Sequence, residues 1–151
     1  MEQNISRVII DTDLGIDDAG ALILALMSPE ITIEGITSTF GNTIVENCTR
    51  NTLHVLELLD MTHIPVRQGA ARPIMLDRRD LGGHVHGSGG LGDYVVPPLQ
   101  TTTADGNAIQ WMIETIMASP GEIDVLLFGP QTNLSLALSI EPELGKAIRR
   151  I

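Results

Sequence analysis

Short apolar runs alternate with stretches of helical periodicity along the 151-residue chain. The runs are rich in β-branched residues and predict strands at 7–11, 31–39, 64–69 and 122–129. Apolar residues at helical spacing predict helices at 17–27, 44–59, 104–119 and 132–151, the last with a break at Pro142. Strands that alternate with helices favour a parallel sheet, because each crossover helix covers one of its faces. The sequence therefore predicts an α/β fold with an open, mainly parallel sheet and helices on both faces.

Residues 69–104 are rich in glycine and proline and show no clear periodicity, which predicts a long loop that contains at most one turn of helix. Long loops in compact domains are often functional. Within this one, "GSGGLG" (87–92) matches the spacing of a dinucleotide-binding fingerprint. That fingerprint lies between a strand and a helix, whereas "DYVVPPL" with two prolines follows here. We therefore expect a mobile lid and no dinucleotide.

The charge balance excludes two classes of partner. Nine Lys and Arg against 19 Asp and Glu give a net charge of -10, which repels nucleic-acid polymers and anionic membrane surfaces. The longest apolar run, about 21–27, is too short to span a bilayer, and the N-terminus lacks a signal-peptide pattern, so we expect a cytoplasmic protein. The single cysteine, Cys48, lies in a helical pattern and is predicted to be a buried free thiol.

Four carboxylates crowd the segment "DTDLGIDD" (11–18), where the first predicted strand becomes the first helix. Residues two apart face the same side of a strand, so Asp11 and Asp13 are expected to point together. Asp17 and Asp18 open the helix, whose N-terminal dipole favours anions. Neighbouring carboxylates repel by on the order of kcal/mol per pair, so a hard, oxygen-seeking cation or shared protons must compensate. Ligands of parallel sheets bind beyond the carboxyl ends of the strands, where this segment lies.

Other interpretations of the acidic segment compete with a cation site. The simplest is that these acids are helix caps and solvated turn residues. An EF-hand loop is excluded, because Gly15, Ile16 and Leu22 stand where that loop needs a ligand, a glycine and a glutamate. A haloacid-dehalogenase-like, Mg-dependent phosphatase with Asp11 as nucleophile stays open, although it gives the last two acids no role.

The segment "VIIDTDLGIDDAGALILAL" resembles the Asp-x-Asp-x-Gly-x-Asp-Asp signature of the nucleoside hydrolases, the inosine-uridine preferring N-ribohydrolases. Three further stretches resemble motifs of that family in the same order: "EGITSTFGN" (34–42), "GGHVHGSGGLGD" (82–93) and "FGPQTNLSLAL" (128–138). The resemblance spans essentially the whole chain. It implies that residues 1–151 are the N-terminal part of a Rossmann-like nucleoside hydrolase domain. It also implies hydrolysis of the N-glycosidic bond of purine or pyrimidine ribonucleosides to ribose and free base.

The resemblance further implies roles for individual residues. Asp13 and Asp18 would bind Ca²⁺ together with the main-chain carbonyl of Phe128, where family members have Thr. Asp13 would also be the catalytic base that takes a proton from a Ca-bound water. Two further residues would hydrogen-bond hydroxyls of the substrate ribose, namely Asp17 and Asn42. Asp11 would be a supporting member of the cluster.

These residue types suit the reaction independently of the family. Cleavage of an N-glycosidic bond builds positive charge on the ribose, so carboxylates near the sugar stabilise the transition state. A leaving base also needs a proton or another stabilising group. His84 and His86 lie in the glycine-rich loop and are the candidates to bind the substrate there, because imidazole exchanges protons near neutral pH. His54, within the second helix, and His63, in a turn, are predicted to be structural.

Nucleoside hydrolases are considerably longer than this chain. Their second half supplies another calcium-binding Asp, an Asn and a Glu that hold the ribose, and usually a His near the base. The sequence ends at "KAIRRI", about where the next strand would begin, so we expect weak metal binding from this chain alone. Uncovered sheet edges or apolar helix faces would favour association, and the family tends toward homo-oligomers, dimers or tetramers. A truncated half-domain that binds metal or nucleoside without turnover is the remaining alternative.

Overall fold

The computed structural model describes residues 5–75 and 82–151, so residues 76–81 of the predicted long loop lie outside the described residues. The strands are Ser6–Thr12 (β1), Ile31–Ser38 (β2), Val66–Gln68 (β3) and Ile123–Leu127 (β4). The helices are Ile16–Met27 (α1), Val45–Leu58 (α2), Gly83–His86 (α3), Ala108–Ala118 (α4), Thr132–Ile140 (α5) and Leu144–Ala147 (α6). The predicted order of strands and helices is therefore confirmed, including one turn of helix among the described residues of the long loop.

The four strands form one parallel sheet in the order β3-β2-β1-β4. β1 is central and pairs with β2 from Ser6 to Thr12, and with β4 from Arg7 to Asp11. The chain moves outward from β1 to β3 and then returns to the other side of β1. The strand order consequently reverses between β1 and β4. In open α/β sheets the crevice at such a reversal point, beyond the carboxyl ends of the strands, is where ligands bind.

Side chains of β1 alternate between the two faces of the sheet, and helices cover both faces. Val8 and Ile10 belong to one core cluster, which includes Leu22 of α1 and several residues of α2. Ile9 belongs to a second cluster, which includes Met112 of α4 and residues of α5 and α6. The prediction of an open parallel sheet with helices on both faces is confirmed.

The predicted helix at 132–151 is too long. It breaks around Pro142, as expected, into α5 and α6, but residues 148–151 leave the helix and run beside β4. The Arg149 N–H donates to the Ile123 carbonyl at 2.9 Å, and an isolated parallel bridge follows at the next residue. The end of this sequence therefore forms strand-like contacts with β4, which periodicity alone does not reveal.

A buried carboxylate explains this departure from helical structure. Asp124 on β4 accepts hydrogen bonds from Arg149 Nε at 2.7 Å and from Arg150 Nη2 at 2.6 Å. The hydrogen bonds from Arg149, and to a lesser extent those from Arg150, hold the pKa of Asp124 well below its usual range. Ser6 Oγ also accepts from Arg149 Nη2 at 2.8 Å, which ties the end of the sequence to the start of β1. Continuing the helix would separate both guanidinium groups from this charge.

The start of α4 also differs from the prediction. The helix begins at residue 108 and not at 104, because Asn107 caps it. Its side-chain Oδ1 accepts from the Ile109 and Gln110 N–H groups at 2.9 and 3.0 Å. Such a cap satisfies main-chain donors that the first turn of a helix leaves free.

Two expectations from composition agree with the fold. Cys48, the single cysteine of the sequence, is buried on α2, as predicted. Among the residues that the structure describes, no helix has the length and apolar character needed to cross a bilayer.

Candidate active site

The acidic segment leaves β1 at the reversal point of the sheet, between the ends of β2 and β4. On one side, the Thr39 N–H donates to the Thr12 carbonyl at 2.9 Å. On the other side, the Phe128 N–H donates to the Asp11 carbonyl at 2.8 Å. These main-chain bonds extend the sheet pairing just past the strands and fix where the chain turns outward at Asp13. The carboxylates therefore lie where parallel strands and helix N-termini meet, as the sequence predicts.

Asp13 is held in a narrow slot between two glycines. Its Oδ2 accepts a hydrogen bond from the Asn42 main-chain N–H at 2.9 Å. A Cβ atom at Gly41 would collide with the Asp13 carboxylate, and one at Gly129 would lie 2.6 Å from Oδ1. Burial and, to a lesser extent, the nearby Asp18 charge together raise the pKa of Asp13 to about 6. A carboxyl with such a pKa can exchange a proton near neutral pH.

Asn42 links Asp13 to Asp18. Its side-chain Nδ2 donates to Asp18 Oδ2 at 2.6 Å and to the Asp13 main-chain carbonyl at 3.1 Å. Asp18 Oδ2 also accepts from the Gly15 N–H at 2.8 Å, at the start of α1. Burial raises the pKa of Asp18 as well. Because both amide protons of Asn42 are engaged, its Oδ1 is the atom left to accept a hydrogen bond from a ligand.

The paired carboxylates suit a hard cation. Each Oδ2 is engaged, whereas no other residue within 5–75 and 82–151 donates a hydrogen bond to Oδ1 of Asp13 or to Oδ1 of Asp18. Both side chains are buried, so a cation between them would remove their repulsion and their desolvation cost. The described part of the chain contains no group of three or more His, Cys, Asp or Glu side chains that could hold a metal ion. Two carboxylates fall short of the six to eight oxygens that calcium takes.

Phe128 follows β4 on the same side of the cluster. The main chain at the next residue, Gly129, passes beside the Asp13 carboxylate. The Phe128 ring packs against the core cluster that faces α1 and α2, so its bulk is accommodated in the core. A main-chain carbonyl at this point is a chemically suitable third oxygen.

Asp11 has a different environment from the other three acids. It is fully buried, and its Oδ1 accepts from Thr37 Oγ1 at 2.5 Å and from Asn133 Nδ2 at 2.7 Å. Its Oδ2 is buried and has no hydrogen-bond partner among the described residues. Burial raises the pKa of Asp11 to about 6, against these two hydrogen bonds. A nucleophile must reach its substrate, so this burial argues against the phosphatase alternative and suits a supporting role.

The sequence motifs contain Asn133 but give no hint of its role. Asn133 Oδ1 accepts from the Ala70 N–H at 2.8 Å, and Nδ2 donates to the Ser38 carbonyl at 3.1 Å as well as to Asp11. One side chain on α5 therefore joins the ends of β1 and β2 to the loop after β3. Its position in "GPQTN" next to a strand end was the only available signal.

Asp17 and His86 lie at the exposed rim of the cluster. The Ile16 N–H donates to His86 Nδ1 at 3.2 Å, and Asp17 Oδ1 lies 3.7 Å from the same nitrogen. His84 is exposed and forms none of these contacts, because residues two apart on a helical turn point to opposite sides. Of the two candidate histidines, the structure therefore brings only His86 to the acidic cluster.

The other two histidines lie away from this cluster. His54 is buried on α2, stacks on Tyr94, and its Nε2 lies 2.9 Å from the Tyr94 hydroxyl. His63 is exposed in the turn before β3. Both positions agree with structural roles.

The sequence was compared with known proteins. The family model described as inosine-uridine preferring nucleoside hydrolase matches residues 8–151. Among curated relatives, "Probable uridine nucleosidase 2" of Arabidopsis thaliana is 40% identical over 146 residues, covering 96% of this chain and 45% of that protein. "Pyrimidine-specific ribonucleoside hydrolase RihA" of Salmonella enteritidis is 41% identical over 144 residues, covering 95% of this chain and 46% of that protein.

Solved structures give the same result for the fold. A plant nucleoside hydrolase, the PpNRh1 enzyme, superposes with a TM-score of 0.88 at 37% identity. The match covers 95% of this chain and 46% of the plant enzyme's chain. A purine-preferring ribonucleoside hydrolase from Gardnerella vaginalis has a TM-score of 0.90 at 31% identity, with the same coverage. The chain thus spans about half the length of the relatives it matches and corresponds to their N-terminal half. It belongs to the inosine-uridine preferring nucleoside hydrolase family.

Proposed function

We propose that this chain provides the metal- and ribose-binding half of a site that hydrolyses the N-glycosidic bond of ribonucleosides to ribose and free base. The observation that carries the proposal is the single hydrogen-bonded unit of Asp13, Asp18 and Asn42 at the reversal point of the sheet. Relatives named as uridine nucleosidase, pyrimidine-specific hydrolase and purine-preferring hydrolase support the substrate class. Residues 1–151 would then be the N-terminal part of one nucleoside hydrolase domain.

Nucleoside hydrolases are metal-dependent, and we propose Ca²⁺ as the metal here. Asp13, Asp18 and the Phe128 carbonyl would hold it, because carboxylate and carbonyl oxygens are the ligands that hard cations prefer. When bound, Ca²⁺ would hold the ribose hydroxyls and the attacking water together and would lower the pKa of that water.

Asp13 acts as the general base in this proposal. Its Oδ2 is already engaged by the Asn42 N–H, so Oδ1 is the atom that takes the proton from the attacking water. Asp17 is exposed at the rim, where its carboxylate accepts a hydrogen bond from a ribose hydroxyl. The Asn42 Oδ1 accepts a second one. These negative and dipolar groups stabilise the positive charge that develops on the ribose as the bond breaks.

In this proposal His86 contacts the leaving base. Its Nδ1 accepts from the Ile16 N–H, which leaves Nε2 as the protonated nitrogen of a neutral ring. An Nε2–H can donate to an acceptor on the base. His84, which is exposed in the same loop, stays a candidate to bind the substrate.

The test is release of ribose from inosine, uridine and cytidine by the 151-residue chain, with Ca²⁺ or with chelator. Asp13→Asn should abolish calcium-dependent release, whereas Asp105→Asn, which changes an exposed acid elsewhere, should not alter it. Calcium binding is measured in parallel by calorimetry. Release that survives both chelator and Asp13→Asn would contradict the proposal. A folded chain that binds Ca²⁺ without releasing ribose would instead be the non-catalytic half-domain.

We also propose a role in nucleoside salvage in the cytoplasm, carried out by a homo-oligomer, a dimer or a tetramer. Exposed apolar side chains on α1 support association, notably Leu24 and Met27, which are 71% and 64% exposed. Sedimentation of the purified protein tests the oligomeric state, and cell fractionation tests the location. A monomer at micromolar concentration would contradict the first of these.

A further inference from the structure

The glycine-rich segment 87–92 forms a tight turn against α2. Gly87, Gly90 and Gly92 all have positive φ, at 73°, 89° and 64°, which other residues rarely adopt. The Gly92 N–H closes the turn on the His86 carbonyl at 2.7 Å. The turn presents two consecutive carbonyls, of Ser88 and Gly89, toward α2. The glycine spacing is thus explained by a tight turn that begins at His86.

Three polar residues, spaced four apart in the sequence, donate hydrogen bonds to these carbonyls. Thr43 and Asn47 both donate to the Ser88 carbonyl, from Oγ1 at 2.9 Å and from Nδ2 at 3.2 Å. Asn51 Nδ2 donates to the Gly89 carbonyl at 2.9 Å. Asn47 and Asn51 are four apart and lie on one face of α2. Thr43 lies just before the helix, and the three side chains form a polar ladder at the start of α2. The turn after His86 is therefore anchored to a rigid element.

Asn51 differs from the other two members of the polar ladder. It is fully buried, and its Nδ2 also donates to the Leu14 carbonyl at 3.3 Å. Leu14 directly follows Asp13, so one amide joins the acidic segment to the glycine-rich turn. A Cβ at Gly90 would lie 2.8 Å from Asn51 Nδ2, which shows how closely the turn approaches this amide.

His86 is held between the two segments that Asn51 joins. Its Nδ1 accepts from the Ile16 N–H, and a Cβ at Gly15 would lie 2.5 Å from the same nitrogen. Its carbonyl closes the glycine-rich turn. The distance between His86 and the acidic segment therefore depends on how the turn and that segment are held together.

We propose that Asn51 is a positioning residue that sets the place of His86 relative to the acidic segment. Its two amide protons each fix one segment, so their removal lets the segments move independently. The catalytic consequence rests on the proposed function, in which His86 meets the leaving base. The structural consequence is loss of the Ile16–His86 hydrogen bond, and it does not depend on the proposed function.

The experiment measures hydrogen exchange of the Ile16 amide and the ring tautomer of His86 by ¹⁵N NMR on the 151-residue chain. Asn51→Ala should lower the protection of the Ile16 amide by about tenfold, the factor that corresponds to about one net hydrogen bond. It should also remove the preference for the Nε2–H tautomer. His86→Ala gives the exchange rate of an Ile16 amide without its acceptor.

Asn47→Ala is the matched control. It removes one donor to the Ser88 carbonyl, which Thr43 still binds, and it does not touch the acidic segment. Ile16 exchange should therefore stay within about twofold of the original chain, because the two hydrogen bonds lost, to Ser88 and to Thr43, lie outside the acidic segment. If Asn51→Ala does not fold, Gly90→Ala disturbs the same contact from the turn and should show the same selective loss. Amides of α4 report any general loss of stability.

Unchanged Ile16 exchange and an unchanged His86 tautomer in a folded Asn51→Ala or Gly90→Ala chain would overturn the proposal. So would a loss that is equal at Ile16 and throughout α4, which shows only lower global stability. Ribose release from the same samples is recorded separately. If release occurs, the effects of Asn51→Ala and His86→Ala should be non-additive, because one residue acts through the other. Absence of release in the original chain would reject the proposed function and leave the NMR result to decide the positioning role.

Discussion

The buried carboxyl of Asp11 predicts how the stability of this protein depends on pH. Burial raises its pKa from 3.8 to about 6, although hydrogen bonds from Thr37 and Asn133 oppose the change. Between these two values the folded state holds a proton that the unfolded chain has released. The free energy of unfolding therefore falls as pH rises from about 4 to 6 and levels off above that window. At about 1.4 kcal/mol per pH unit, Asp11 alone accounts for about 3 kcal/mol.

Asp11→Asn isolates this contribution. The amide keeps an oxygen that accepts from Thr37 and Asn133, but it does not titrate. We compare urea denaturation in chelator at half-unit steps from pH 4.5 to 8. Over this range the free energy of unfolding should fall by about 2 kcal/mol less in Asp11→Asn than in the original chain, because the range covers about 1.5 pH units of the window that ends near pH 6. Asp13 and Asp18 titrate in both proteins and cancel in the difference. Asp17→Asn is the control, because it removes an exposed carboxylate from the same segment.

An Asp11→Asn protein with the pH dependence of the original chain would refute the argument. Asp11 would then not exchange its proton in that window, and its burial would not govern its ionisation. An Asp17→Asn protein with the flatter profile would equally contradict it, since it would assign the effect to a solvated acid.

Three further outcomes follow from the structure. Asp124→Asn should cost about 1 to 3 kcal/mol at pH 7, because two guanidinium groups lose their shared charge, and thermal denaturation measures it. Since the pKa of Asp124 is lowered, the original chain should lose this stability as pH falls below about 4, and the variant should not. Gly129→Ala should weaken calcium binding at least tenfold by calorimetry, because its Cβ would crowd Asp13 Oδ1. In the ribose-release assay, His86→Ala should lower kcat by about 10² or more, whereas His84→Ala should change it less than about threefold.

Local patterns were enough to predict most of the fold. Alternating apolar runs and helical stretches depend on neighbours within one element, so the order of strands and helices could be read directly. The end of the sequence was the exception. A helix was predicted up to residue 151, but a charge on β4, at Asp124, draws Arg149 and Arg150 out of it. Such a contact joins residues 25 or more positions apart and leaves no local signal.

The placement of Asp13, Asp18 and Asn42 near one another was also predictable, because the carboxyl ends of neighbouring parallel strands meet at one edge of a sheet. The sequence by itself therefore determined the sheet, the layers around it and the edge where the acids collect. Only the tertiary structure decided which side chains hold them there. Asn133 reaches Asp11 from 122 positions away, and Asn51 reaches Leu14 across 37. It also decided between His84 and His86, because a single helical turn sends alternate side chains in opposite directions, and only contact with the start of α1 shows which one faces the acids.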